Sequence, residues 1–327
     1  YGCLDETSEI LTNEGFKKYN EIKKDDIVFS LNPNKKIVKN KVKHKFIYEV
    51  ENETLSHIVN DNTDQLLTNN HKMLLREYIR KQENGIRNGN YETNYKYVDA
   101  VNRPIQYKLP LGAIYDGNYS IGKDFAELIG WVISEGHYQK DTNAVNLYQS
   151  SVNKEYVKRI KYLLGRLQIP YSEYQRKKTY KDRQYVEHQF YISGDYATKI
   201  KNIIPNKKLH YKLLELPYGE KLRLIKGLVM GDGSLSDNIE RSFYQSDLEQ
   251  LQIFQILLHL SNKQGRINEN KMVVEIHHNP ETEIQGKHKK QFVNYTGKVW
   301  SIETEVGNYI AKRNGKIFIT GNSGFPK

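Results

Sequence analysis

The sequence predicts an all-β domain built from both ends of the chain and split by an α+β insert with internal pseudo-twofold symmetry. Three observations carry this. The two flanks read as short β-branched and aromatic runs punctuated by turn residues, the middle switches to helical periodicity between about 122 and 285, and that middle repeats itself. At 327 residues the chain is also long for one domain, so two packed units are the natural expectation.

The first hundred or so residues supply "DIVFSLN", "IVKNKVKHKFIYEV" and "LSHIVND", with Asn32-Pro33 and Asp61-Asn62 as breaks. Residues 76 to 97, "REYIRKQENGIRNGNYETNYKY", read as a polar insertion, either a plain loop or a segment that touches DNA. In the middle, Phe125, Leu128, Ile129, Val132 and Ile133 form one helical stripe, and Leu248, Leu251, Ile253, Phe254, Leu257 and Leu258 form another. The end returns to strands in "KVWSIETE", "YIAK" and "KIFITG", broken at Gly307-Asn308 and at Asn314-Gly315, the latter a two-residue hairpin signal. Closing one β domain with both flanks brings Cys3 and Asn322 together.

The repeat is specific. "LIGWVISEG" (128 to 136) and "IKGLVMGDG" (225 to 233) align, each is followed by Tyr-Gln-Ser, at 148 to 150 and 244 to 246, and each Tyr-Gln-Ser leads into another helical stretch. Each copy ends in an acid and a glycine, Glu135-Gly136 and Asp232-Gly233. The glycine reads as a helix stop in the left-handed conformation. The acid faces the negative end of the helix dipole, which disfavours it by up to about 1 kcal/mol. With Gly130 and Gly227 permitting close helix packing, the two carboxylates converge and suit Mg²⁺. The bland alternative is two capped core helices with exposed acids.

Composition narrows the partners. Fifty Lys and Arg against 39 Asp and Glu leave a formal charge of +11, which favours a polyanion. Residues 154 to 183 hold ten basic and three acidic side chains interleaved with tyrosines, either a solvated helix face or a phosphate-tracking surface. Arg176, Lys177, Lys178, Lys181 and Arg183 are its candidate DNA contacts. No apolar run approaches the roughly 20 residues of a membrane span, and the N-terminal residues do not resemble a signal peptide. The single cysteine excludes an internal disulfide and a cysteine-based zinc site, and fits a reducing compartment, the cytoplasm.

The paired helix motifs resemble the LAGLIDADG homing endonucleases over roughly residues 122 to 285. The resemblance implies an α+β domain of two αββαββα-like repeats that cuts double-stranded DNA with Mg²⁺, with Glu135 and Asp232 as metal ligands. The family's upstream lysine maps to Lys207 in "NKKLHYKLLELP", with Lys208 as substitute, because Leu209-His210 replaces the usual Ile-Pro. A second-half lysine stays open between "ENKMVVE" and "GKHKKQF".

The flanks resemble an intein, with the all-β horseshoe fold shared by inteins and hedgehog autoprocessing domains. Cys3 precedes "LDETSEILTNEG", Thr68 and His71 form a Thr-x-x-His, and the final strand ends in Asn322-Ser323. A lone cysteine is by itself more often a small buried hydrophobe, and a lone histidine in a β-turn a surface residue. The constellation outweighs both. It implies that Cys3 attacks the Gly2 carbonyl to make a thioester, that Ser323 takes the acyl group, and that Asn322 cyclises and cuts the bond to Ser323. His71 would hydrogen-bond or protonate the Cys3 nitrogen and Thr68 would orient that peptide.

The expected layout is therefore residues 1–2 as host sequence, 3–118 and 289–322 as the splicing domain, 119–288 as the endonuclease and 323–327 as host sequence, in a monomer. Two departures stand out. Gly321 replaces the common histidine before the terminal Asn, and Ser301 and Gly307 replace an Asp and a His in the preceding block. Asn322 cyclisation is therefore the expected slow step, which histidine at 321 should speed. Two rivals are a splicing domain with a decayed, DNA-binding insert, and a free-standing nuclease with structural β flanks.

Overall fold

A computed structural model describes residues 2–83, 86–285 and 290–322, with backbone only at 78–83, 86–92 and 180. The described residues form two compact units. One lies within Tyr1–Tyr115, His259–Arg266 and His277–Lys327, the other within Asp116–Leu258 and Ile267–Ile276.

The first unit is built from strands. Strands β1 (Leu4–Asp5), β2 (Glu9–Thr12), β3 (Gly15–Lys17), β4 (Ile27–Leu31), β5 (Lys36–Lys41) and β6 (His44–Val59) are followed by β7 (Asp64–Thr68), β8 (Lys72–Glu83), β9 (Ile86–Glu92), β10 (Lys96–Asp99), β11 (Tyr107–Pro110) and β12 (Ile114–Tyr115). The segment 37 to 50 divides between β5 and β6, and β6 continues into the segment 55 to 61. The described residues of the polar stretch 76 to 97 are mostly strand rather than loop, since β8 pairs with both β9 and β10.

The second unit opens with α1 (Lys123–Glu135), β13 (Gly136–Tyr138), β14 (Ala144–Ser150), α2 (Lys154–Arg166), β15 (Ser172–Tyr180), β16 (Arg183–Ser193) and α3 (Gly194–Ile203). The pattern then recurs in α4 (Tyr218–Asp232), β17 (Gly233–Ser236), β18 (Ile239–Tyr244), α5 (Leu248–His259), β19 (Gln264–Asn268) and β20 (Val273–His277). Its two sheets have matching orders, β13-β14-β16-β15 and β17-β18-β20-β19. The apolar stripe of α1 that includes Phe125, Leu128, Ile129 and Val132 lies within a run buried on every face, from Phe125 to Ile133.

The chain finishes with β21 (Glu281–Ile284), β22 (Gln291–Glu303), β23 (Asn308–Arg313) and β24 (Lys316–Gly321). Strand β21 pairs with β11, so residues 277 to 285 cluster with the first unit although the insert was expected to run to 288. Strands from the two chain ends share sheets: β1, β22, β6 and β7 close a barrel, and β2 pairs with β23. Leu4 lies between Trp300 and Leu67, with Ile10, Val28 and Tyr309 in the same buried core. Asn314 and Gly315 both take positive φ (47° and 74°) between Arg313 and Lys316, the backbone that a two-residue hairpin of matching twist requires. Among the described residues no helix is long and apolar enough to cross a membrane.

Candidate functional site

In the second unit, α1 and α4 pack with almost no side chain between them. A Cβ on Gly130 would lie 2.6 Å from the Leu224 carbonyl oxygen, and one on Gly227 would lie 2.3 Å from that of Glu127. The contact continues to the helix ends, where a Cβ on Gly231 would lie 2.3 Å from Ser134 Cβ and 3.4 Å from Glu135 Cγ. The terminal carboxylates are thereby neighbours. Burial, and second the charge of Asp232, lift the Glu135 carboxyl to about 7, against the pull of Lys207. Burial also raises Asp232, opposed by Ser134 and Lys207.

The glycines after these acids differ from the sequence expectation. Gly136 (φ −86°, ψ 161°) and Gly233 (φ −139°, ψ −163°) are extended, because each helix passes directly into a strand. Space requires glycine there instead: a Cβ would lie 2.3 Å from the Val132 oxygen at Gly136 and 2.3 Å from the Ser242 oxygen at Gly233.

Of the two candidate lysines, Lys207 is beside the acids, donating Nζ to the Gly136 carbonyl at 2.8 Å. Lys208 instead pairs with Asp247 at 2.7 Å. Sequence reasoning passed over Gln245, whose Nε2 donates to Asp232 Oδ2 at 3.1 Å. The signal was available, since Gln245 and Gln149 are the middle residues of the repeated Tyr-Gln-Ser.

The basic candidates all lie on the exposed β15–β16 hairpin, at the sheet edge, with Lys181 in its turn. Cross-strand register aligns Ser150 with Glu187 and Arg176, and Tyr148 with Gln189 and Tyr174, so Arg176, Lys178 and Arg183 share one polar sheet face. Lys177 pairs with Val186 and belongs to the opposite face, that of Leu147 and Phe190. It therefore cannot act with the other three on one surface.

In the first unit, Cys3 is fully buried. Its N–H donates to Thr68 Oγ1 at 2.8 Å, and its carbonyl accepts from the Thr68 N–H at 3.0 Å, so Thr68 grips both sides of the residue. Burial pushes the thiol up to about 12. His71, held one turn on by its N–H to the Thr68 carbonyl, is completely buried, and desolvation drives its imidazole down to about 4. The ring meets Thr320 Oγ1 through Nε2 at 2.8 Å, whereas the Cys3 nitrogen was expected as its partner. That N–H is already taken by Thr68. Asn322 is buried, donating its N–H to the Gly307 carbonyl at 3.0 Å and its Nδ2 to that of Thr304 at 3.5 Å. Ser301 Oγ lies 3.3 Å from Tyr309 Oη, and Tyr309 pairs across the hairpin with Thr320. Ser323 falls outside the described residues.

Histidine at 321 is excluded. A Cβ on Gly321 would lie 2.1 Å from the Lys72 carbonyl oxygen, a backbone atom that no rotamer change moves. The turn carrying His71 therefore abuts the strand carrying Asn322 by backbone contact.

The second unit is thus a duplicated helix-strand unit whose leading helices meet at glycines, each ending in a carboxylate. Residues 122–205, which contain the first copy, match the family model of the LAGLIDADG-like domain. Similar solved structures include I-DmoI in complex with DNA and Mn, 14% identical at a TM-score of 0.34, covering 47% of this chain and 89% of that one. The N-terminal LAGLIDADG domain of DUF199/WhiA is 13% identical at 0.34, covering 50% and 74%. I-WcaI bound to its DNA recognition sequence is 16% identical at 0.34, covering 49% and 78%. No curated protein matches the chain.

Two carboxylates driven toward their neutral forms by burial, with the charge of Asp232 adding to it at Glu135, are a donor set that fits a hard divalent cation, which would offset these costs. Among the described residues no group of three or more His, Cys, Asp or Glu side chains forms a metal cluster.

Proposed function

We propose that the chain splices itself out of a host protein and that its inserted unit is a site-specific double-strand DNA endonuclease. The observation that carries the reading is the buried assembly of Cys3, Thr68, His71 and the Thr320 to Asn322 segment, drawn from opposite ends of the sequence. A merely structural β flank has no need of a buried imidazole held on the same threonine as its lone cysteine.

In this mechanism Thr68 holds the Gly2–Cys3 peptide through the Cys3 N–H. The Cys3 sulfur bonds to the Gly2 carbonyl carbon, the carbon–nitrogen bond breaks, and the thiol proton ends on the Cys3 nitrogen. The nitrogen leaves only as it gains that proton, which the thiol supplies, so the thioester is reachable without a cofactor. Ser323 Oγ then displaces the thiolate to give an oxygen ester. Asn322 Nδ2 attacks its own backbone carbonyl carbon, releasing the Ser323 amine, which takes the acyl group from the ester oxygen. The product joins Gly2 to Ser323 and frees residues 3–322. Residues 1–2 and 323–327 are host sequence on this reading, and the protein works as a monomer in the host's compartment, the cytoplasm.

In the second unit Glu135 and Asp232 would hold a divalent cation, Mg²⁺, which when bound supplies Lewis-acid charge at a phosphodiester. Lys207 adds fixed positive charge beside both acids. Arg176, Lys178 and Arg183 offer phosphate contacts on a polar sheet face that also carries Tyr148 and Tyr174. Mass spectrometry of the chain expressed within a longer host tests the first activity: a ligated host product and a free 3–322 fragment are expected, and one uncut polypeptide refutes it. A plasmid carrying the uninterrupted insertion site, incubated with protein and Mg²⁺, tests the second. Binding without linearisation would leave only the DNA-binding alternative.

A further inference from the structure

His71 and Thr320 form an isolated polar pair in the core of the first unit, both with no exposed surface. The 2.8 Å bond between Nε2 and Thr320 Oγ1 is compatible with either ring tautomer. Donor accounting separates them. Were Nε2 protonated, it would donate to Thr320, and the threonine proton would have no acceptor among the described residues. Were Nε2 bare, the threonine hydroxyl would donate to it and the ring proton would reside on Nδ1. A buried group left unsatisfied costs about 1–3 kcal/mol, so the tautomer is set by which remaining proton has an acceptor facing it. Nδ1 closes no hydrogen bond of good geometry, yet the backbone of Gly2 is the neighbour that raises the basicity of this ring. The Gly2 carbonyl is the acceptor such a proton would face.

We infer that Thr320 is a positioning residue: its hydroxyl donates to His71 Nε2, holds the ring proton on Nδ1, and so turns that proton toward the Gly2 carbonyl. This rests on the splicing reading for its consequence. As the Cys3 sulfur bonds to the Gly2 carbonyl carbon, the carbonyl electron pair moves onto oxygen, where the Nδ1–H stabilises it. The pair then returns, the carbon–nitrogen bond breaks, and the nitrogen keeps the thiol's proton. Thr320 stands two residues before Asn322 on β24, and the backbone contact of Gly321 with Lys72 fixes that strand against the His71 turn. The strand bearing the second junction thus prepares the first, so thioester formation waits on correct docking of the C-terminal segment.

The test compares Thr320→Val, which keeps shape but loses the hydroxyl, with Thr320→Ser, which restores it, both in an Asn322→Ala full-length protein. Thiol-induced cleavage at Gly2–Cys3 should slow by on the order of ten- to hundred-fold in the valine variant and recover in the serine variant. The His71 ring ¹⁵N shifts, assigned with His71→Gln and recorded in a Cys3→Ala background, should report Nδ1–H in the parent and in Thr320→Ser, and lose it in Thr320→Val. A parent ring protonated on Nε2 overturns the inference. So does a valine variant that keeps both tautomer and rate, or one that slows cleavage without moving the tautomer. Failure of the splicing reading looks different: the parent shows no thiol-dependent cleavage, and the tautomer comparison alone then decides the role of Thr320.

Discussion

Replacing Gly227 by alanine sets two opposed effects against each other. Within a helix interior, Ala is favoured over Gly by about 0.5–1 kcal/mol. Against this, the new methyl would lie 2.3 Å from the Glu127 oxygen, 3.1 Å from Gly130 Cα and 3.1 Å from the Trp131 nitrogen, all backbone atoms of α1. No side chain can swing away, so α1 and α4 must separate. Overpacking a tight core costs about 1–3 kcal/mol, and rigid partners place this site at the upper end. The net expectation is a loss of about 1–2 kcal/mol, borne by the helix pair that carries Glu135 and Asp232. Hydrogen-exchange mass spectrometry on peptides covering Lys123–Glu135 and Tyr218–Asp232 reads this locally, since about 1.4 kcal/mol is tenfold in opening. Gly165→Ala is the control: in α2 its Cβ would meet nothing within 4 Å, so only the propensity gain remains. If Gly227→Ala slows exchange as Gly165→Ala should, the helices have slack, and close backbone approach is not what brings the carboxylates together.

Cys3→Ala should abolish host ligation and leave plasmid cutting intact, while Glu135→Gln or Asp232→Asn should do the reverse; loss of ligation in Asp232→Asn, followed by gel and mass spectrometry, would break the modular reading. Lys207→Met should slow cutting by roughly 10²-fold, as expected for a positioned charge, and Lys208→Met, which loses only an exposed pair, should fall within about twofold of the parent. His71 and His259 are buried with imidazoles driven from 6.5 to about 4, so the unfolded chain binds more protons between those values and stability rises with pH across that window. Full stability is present above pH 6.5, and by pH 5 each should have cost about 2 kcal/mol; urea unfolding of a Trp131→Phe protein, reported by Trp300, should show that loss, with His259→Gln halving it. Gly321→Ala should destabilise the first unit and slow host ligation, because the methyl meets a backbone carbonyl, and a ligation rate unchanged in single-turnover assays would refute the stated contact.

Local chemistry in the sequence carried local structure well. Asn314-Gly315 specifies a turn within two residues, and the apolar spacing of α1 and α5 marks buried helices within four, so windows of a few residues suffice. The repeat carried further, locating Glu135 and Asp232 by comparing the chain with itself. What escaped depends on atoms distant in sequence. Gly136 and Gly233 read as left-handed helix stops because that is their usual reason; their actual reason is a neighbouring carbonyl. Lys177 was grouped with Lys178 by adjacency, although a pleated strand sends neighbours to opposite faces. Thr320 carries no motif at all, and only the close approach of β24 to the turn before β8, seen at Gly321 and Lys72, brings it to His71.

Both units build their candidate sites the same way, by letting backbone approach backbone at a glycine. In the second unit Gly130, Gly227 and Gly231 remove the side chains that would hold two carboxylates apart. In the first, Gly321 removes the one that would hold Asn322 away from the His71 turn. A backbone contact fixes position more tightly than a side-chain contact, since it has no rotamers to exchange. At residue 321 the consequence is chemical as well as geometric. A histidine could supply a proton donor, but its Cβ would force apart the two segments whose alignment sets the His71 ring. With glycine there, the described groups that hold the two nitrogens of Asn322 are the backbone carbonyls of Thr304 and Gly307. Such groups orient the nucleophile but transfer no proton, so under the proposed splicing reaction the final cleavage is the slow step.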